Sequence, residues 1–140
     1  MYASAYQMLG GEQSEMATVE KSIALIRNGL PVSALEHGTR LLGVTKTEYA
    51  RLIGVNLRSL QRKQQTSGCL SPAASEHALL LAELVRVADG YFAQRKATLR
   101  WLNQPVVALG NVSPLSVCDT YTGIHLAMEE INKLKYGLTA

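Results

Sequence analysis

Gly54-Val55-Asn56-Leu57-Arg58-Ser59 sits between two short segments that each read as a helix, and it carries the turn that joins them. Just upstream, Thr45-Lys46-Thr47-Glu48 has the form of a capping box, in which threonine and glutamate satisfy each other's free backbone donors. Tyr49, Ala50 and Ile53 then mark an apolar helix face. Gly54 supplies a sharp turn, Asn56 can cap the next helix, and Leu60 can tuck that helix against the first. Ala50, four residues ahead of Gly54, is small enough to let two helices approach closely. This order predicts a helix-turn-helix over about 45–65, a motif whose second helix commonly enters a DNA groove.

The charge distribution points the same way. Residues 1–39 carry two basic and four acidic side chains, a net −2. Residues 40–65 carry Arg40, Lys46, Arg51, Arg58, Arg62 and Lys63 against Glu48 alone, a net +5, and residues 66–140 balance at six of each. The chain's whole excess of +3 therefore comes from the turn region, where phosphate contacts would be needed. A solvated charged face that binds nothing is the plainer reading of such a run; the adjoining turn motif favours DNA.

Outward from the turn, the chain reads as all-α. Val19, Ile23, Ile26 and Leu30 fall on one helical stripe that stops at Asn28-Gly29 and Pro31. A second short helix over about 32–42 turns Leu35, Leu41 and Leu42 inward, with Gly43 behind it. Thr66-Ser67-Gly68 breaks the pattern, and Ser71-Pro72 opens the longest helix, with serine as cap and proline at the first helical position. Leu80, Leu81, Leu84, Val85, Ala88, Tyr91 and Phe92 give that helix a wide apolar stripe. A further helix near 96–103 ends in Trp101-Leu102-Asn103. The apolar run from Pro105 to Leu109 closes with Gly110-Asn111 and reads as a packed irregular loop. Ser113-Pro114 repeats the cap-plus-proline start, and the last helix, about 122–135, aligns Ile124, Ala127, Met128, Ile131 and Leu134. The expected architecture is a compact helical bundle. Residues 1–14 form a candidate disordered N-terminus, 15–70 the helical region holding the helix-turn-helix, and 71–140 a C-terminal helical region.

Size and composition bound the function. A chain of 140 residues with 47% hydrophobic side chains can bury a real core as one domain, or one with a small appendage. No run approaches the roughly eighteen apolar residues that span a bilayer, so no membrane role is expected. The first residues show no basic start followed by an apolar stretch, so the reading is cytoplasmic. Cys69 and Cys118 belong to no CxxC pair, so reduced thiols are expected and a zinc site is not. His125 and Glu129 stand at i and i+4 but lack a third ligand. Trp101, flanked by leucine, reads as packing. No nucleophile with a base and no glycine-rich loop after a strand is present, so neither catalysis nor a cofactor is expected.

The C-terminal half carries a run of ordered blocks: Arg100-Trp101-Leu102-Asn103-Gln104-Pro105, Ala108-Leu109-Gly110-Asn111, Ser113-Pro114-Leu115, Asp119-Thr120, Thr122-Gly123 and Tyr136-Gly137. Together with Gly29-Leu30-Pro31, Ser59-Leu60-Gln61-Arg62, Leu70-Ser71-Pro72 and Ser75-Glu76, they resemble the Xre/MbcA/ParS-type antitoxins, specifically those paired with RES-domain toxins. The resemblance covers about residues 20–140. It implies an antitoxin that binds and blocks a NAD-degrading RES toxin, binds its own operator DNA as a transcription repressor, and forms a homodimer. It also makes 71–140 the toxin-binding and dimerisation region. A stand-alone helix-turn-helix regulator with a dimerising C-terminal half is the alternative. Two departures stand out: Leu57-Arg58-Ser59 replaces the family's frequent Pro-Arg-Thr, and Gly110-Asn111 replaces a glycine pair. The first alters the start of the second helix, so an operator sequence does not carry over.

Candidate site residues follow. Arg58, Gln61 and Arg62 point outward if the second helix starts at Leu57, and arginine and glutamine can read guanine and adenine edges with paired hydrogen bonds. Asn56 and Gln65 stand at the edges, Ser59 can reach phosphate or cap locally, and Lys63 and Arg51 suit phosphate positioning. Solvation or toxin contact is the alternative for Arg58 and Arg62. By resemblance, toxin contact is expected at Asn132, Lys133, Lys135, Tyr136, Gly137 and Leu138. On residues alone this is an ordinary helix end, with lysines favoured by the dipole and Gly137 as terminator.

Overall fold

The computed structural model describes residues 2–66 and 68–137. Among them the chain forms eight α-helices and three short 3-10 turns, with two isolated β-bridges and no strand, so the all-α expectation stands. The fold divides into two compact units, Met1–Glu83 and Leu84–Ala140. The division falls inside one helix, not at residue 71 as the sequence suggested.

The first unit holds α1 (Ala3–Met8), α2 (Val19–Asn28), α3 (Ala34–Leu42), α4 (Lys46–Ile53), α5 (Leu57–Gln65) and the start of α6 (Pro72–Phe92). Helices α4 and α5 begin and end where their local signals put them. Thr45 Oγ1 accepts the Glu48 N–H at 3.1 Å, which is one half of the capping box. The Glu48 carboxylate binds the Arg51 guanidinium, so the expected return bond to Thr45 gives way to an ion pair. Gly54 takes φ +74°, and the Val55 N–H reaches back to the Ala50 carbonyl at 2.9 Å, ending α4 in a left-handed cap. The buried Tyr49 ring fills the space that a Gly38 side chain would occupy, which locks α3 against α4. Leu70 N–H donates to Leu30 O at 2.8 Å and Val32 N–H to Gly68 O at 3.1 Å, tying the chain after α5 to the chain before α3.

The structure corrects one expectation. The N-terminal stretch expected to be disordered folds as α1, with Ala5, Tyr6 and Leu9 buried, followed by a 3-10 turn that buries Met16. Ala5, Tyr6 and Leu9 have the same i, i+1, i+4 spacing that marks α4, on a helix too short to show a repeated stripe. The stripe read on α2 is only partly covered: Val19 and Ile23 are exposed and Ile26 is half-buried. Leu30, just past the helix, is buried, with its N–H donating to Ser75 Oγ at 2.8 Å.

The second unit holds the rest of α6, then α7 (Arg95–Leu102) and α8 (Tyr121–Lys135). Ser71 caps α6 as expected, its Oγ accepting the Ala74 N–H at 3.1 Å. Asp89 accepts from Arg95 Nε at 2.9 Å and Thr98 Oγ1 at 2.7 Å, which fixes the turn between α6 and α7. Half-buried Trp101 packs 6.2 Å from the Phe92 ring. Ser113-Pro114 opens only a 3-10 turn, Leu115–Val117, short of the helix its cap signal suggests. The Val117 carbonyl lies where a Gly123 side chain would stand, and Thr120 Oγ1 accepts the Gly123 N–H at 2.9 Å. These two contacts account for glycine at the third position of α8.

Cys118 is fully buried, with Sγ donating to Pro114 O at 3.1 Å, and burial pushes its thiol up to about 12. A thiol harder to ionise in the folded state keeps its contribution intact below about pH 9 and loses it as pH rises toward 12. Denaturant unfolding at pH 8 and pH 10.5 checks this: the loss of stability between the two should be smaller in Cys118→Ala than in wild type. Equal losses would contradict the buried-thiol assignment.

Candidate functional site

The turn region builds an exposed, acid-free helix. Asn56 Oδ1 accepts the backbone N–H groups of Arg58 at 2.9 Å and Ser59 at 3.2 Å, and thereby starts α5. Leu60 is buried and Leu57 and Gln64 half-buried, so α5 rests on that side. A rotation of about 100° per residue then places Arg58, Arg62 and Gln65 together on the solvent side, with Gln61 and Lys63 on its flanks. Ser59 is half-buried, and Arg62 Nη2 donates to its Oγ at 3.4 Å.

Charge pairing sharpens the pattern. Arg40 and Lys46 both lie beside Glu36, at 3.8 and 3.9 Å. Arg51 holds Glu48 with two hydrogen bonds, 2.7 and 3.2 Å, and this guanidinium keeps the Glu48 carboxyl below the usual carboxylate range. Arg58, Arg62 and Lys63 make no ion pair among the described residues. Three of the six cations are thus matched by α3 and α4 acids, and the unmatched positive charge is concentrated on α5.

A cleft of about 410 Å³ opens beside this region, lined by Pro31, Val32, Ser33, Glu36, Lys46, Gln64 and Gly68. Its one carboxylate is the one already paired with Lys46 and Arg40. His125 is exposed, and no group of three or more His, Cys, Asp or Glu side chains among the described residues could hold a metal.

At the other end of the chain, α8 stops at Tyr136 and Gly137, the glycine at φ +69°. Asn132 is half-buried and its carbonyl accepts the Tyr136 N–H at 3.1 Å. Lys133 is bound to Glu130 at 3.0 Å, while Lys135 is exposed and Tyr136 is 75% exposed. Leu138 lies outside the described residues.

Residues 22–83 match the family model of the antitoxin Xre-like helix-turn-helix domain, and residues 87–137 match that of the antitoxin Xre/MbcA/ParS C-terminal toxin-binding domain. The chain belongs to the Xre/MbcA/ParS antitoxin family. Similar curated proteins include an "Antitoxin Xre" of Yersinia enterocolitica, 28% identical over 81% of this chain and 77% of that protein. An "Antitoxin Xre" of Photorhabdus laumondii is 26% identical over 84% of this chain and 80% of its own length. A "Prs ADP-ribosylating antitoxin" of Sphingobium is 27% identical over the same shares. The chain is therefore a type II antitoxin with a helix-turn-helix domain and a toxin-binding domain.

The boundary between the two family domains coincides with the structural division inside α6. The toxin-binding domain carries most of the exposed large apolar side chains. Six of the eight exposed large hydrophobics among the described residues lie in the second unit: Tyr91, Val107, Val112, Tyr121, Leu126 and Tyr136. Val107 is 84% exposed on a turn closed by Val106 N–H donating to Val112 O at 3.0 Å, with Gly110 and Asn111 both left-handed. The run expected to pack as a loop instead presents an apolar tip. The available signal was an apolar stretch with no polar face, closed by a Gly-Asn turn.

The Asn56 cap carries the start of α5, so Asn56→Ala should lower stability by about 1 kcal/mol. A chemical-denaturation midpoint measures it, and an unchanged midpoint would contradict the cap.

Proposed function

We propose that this antitoxin neutralises a RES-domain toxin that degrades NAD, and that it represses its own operon as a homodimer reading operator DNA with α5. The observation that carries the DNA half is the concentration of unpaired cations on α5, a helix with no acidic residue. Arg58, Gln61 and Arg62 read base edges, and Ser59, Lys63 and Arg51 position phosphates. Asn56 and Gln65 border the contact, Asn56 mainly as the cap. Arg51 reaches DNA only by leaving Glu48. Operator binding places its action in the cytoplasm.

The toxin half rests on the resemblance and on the second unit's exposed surface. The Sphingobium relative's name concerns ADP-ribosylation, a reaction in which NAD is the usual donor. A cleft built for an anionic dinucleotide suits a cationic, aromatic segment such as Lys135 and Tyr136, with Asn132, Lys133, Gly137 and Leu138 as further toxin contacts. The antitoxin contributes surface and no chemistry of its own.

Gel shifts on the chain's own upstream region test the DNA half. Specific binding should fall steeply with salt, and Lys63→Ala should reduce the slope by about one phosphate contact. Arg62→Ala should cost about 1–3 kcal/mol and relax sequence preference. Binding that ignores salt would contradict it.

Co-expression with an adjacently encoded RES toxin tests the other half. The full chain should restore growth, deletion of 132–140 should abolish rescue, and Val107→Asp should weaken it. Full protection by the truncated chain would overturn the C-terminal assignment.

A further inference from the structure

Helix α2 rests on buried Ser22, whose Oγ donates to Met16 O at 3.3 Å, and on half-buried Leu25 and Ile26, yet it turns two further apolar side chains outward. Val19 and Ile23, one turn apart on the same stripe, are 65% and 43% exposed. They are the only exposed large hydrophobics among the described residues of the first unit. A helix on a protein surface normally turns its apolar stripe to the core, so an outward stripe confined to one helix marks a contact surface.

The charges around the stripe identify the occupant. Glu20 and Arg27 border it on one edge, and neither makes an ion pair among the described residues. They stand roughly 5 Å along the helix axis on either side of the point between Ile23 and Ala24. A second α2, run antiparallel about a twofold axis through that point, therefore meets Glu20 with its Arg27, and Arg27 with its Glu20. The two Ile23 side chains meet at the centre. An acid and a base equidistant from an apolar midpoint form a self-complementary surface, as a twofold interface requires.

We propose that α2 is the face on which a second copy of this chain docks. This rests on the homodimer in the proposed function and names its surface. It also fits the shortness of α5, since helix-turn-helix proteins gain site length by pairing half-sites across a twofold. Specific interfaces bury about 800 Å² per partner, more than a ten-residue helix supplies, so the free chain should associate reversibly with concentration. Two half-sites on one operator then raise the effective concentration and complete the pairing.

Sedimentation equilibrium of the full chain over a range of concentrations tests this. Ile23→Glu should weaken self-association by about tenfold or more while leaving the thermal melt of the dilute, unassociated chain unchanged, because Ile23 is exposed there. Glu20→Arg and Arg27→Glu should each weaken it, and the double reversal should restore it. Wild-type association in Ile23→Glu and in both single reversals would overturn the proposal, as would a wild-type chain that stays monomeric throughout. Toxin rescue in the same variants separates the two readings. Rescue retained with self-association lost supports a docking face for a second copy. Rescue lost with self-association intact assigns α2 to the toxin and overturns the proposal. Failure of wild-type rescue would reject the toxin partner and leave the α2 contact standing.

Discussion

Asn56 is the hinge of the first unit's chemistry. Its side-chain oxygen holds two backbone donors at the start of α5, one residue after Val55 closes the left-handed cap on α4. Between them, the two caps leave the chain few ways to pass from one helix to the next. The direction of α5 follows, and with it the placing of Arg58, Arg62 and Gln65 away from buried Leu60. Tyr49 against Gly38 and the hydrogen-bonded stretches around Leu30 and Leu70 then hold the surrounding helices around that turn.

Electrostatics divides the basic segment into two populations. Cations on α3 and α4 sit beside Glu36 and Glu48, where exposed pairs contribute at most about 1 kcal/mol but reduce the local field. Among the described residues the cations of α5 have no such neighbours, which leaves them free for phosphate. A net charge of +5 over 26 residues therefore overstates the attraction of α4 and understates the focus on α5. The second unit works by different means. Its exposed side chains are aromatic and aliphatic, the composition of surfaces that bind protein rather than nucleic acid.

The sequence was most legible where structure is decided within a few residues. Thr45, Gly54, Asn56 and Ser71 act on donors and carbonyls of their own turn, so α4, α5 and the start of α6 could be read directly. Three things depend on a choice among partners that local signals do not make, and were not legible. Periodicity gave the stripe of α2 but not its direction, because an interface stripe and a core stripe have the same spacing. Glu48 was read as the returning half of the capping box with Thr45, but Arg51 lies equally within reach along the chain, and the charged partner won. Val107 has the composition of core, and its exposure follows from the Val106–Val112 closure that lifts it from the unit. Among site residues, the exposed α5 positions were readable from the cap, whereas the engagement of Lys133 by Glu130 needed coordinates.

If neutralisation is contact without turnover, its most direct signature is stoichiometry. Purified RES toxin should be titrated with this chain while NAD consumption is followed. The rate should fall linearly to zero at a fixed molar ratio, and the chain alone should leave NAD untouched. Suppression by catalytic amounts of the chain, or NAD consumption by the chain itself, would contradict the account.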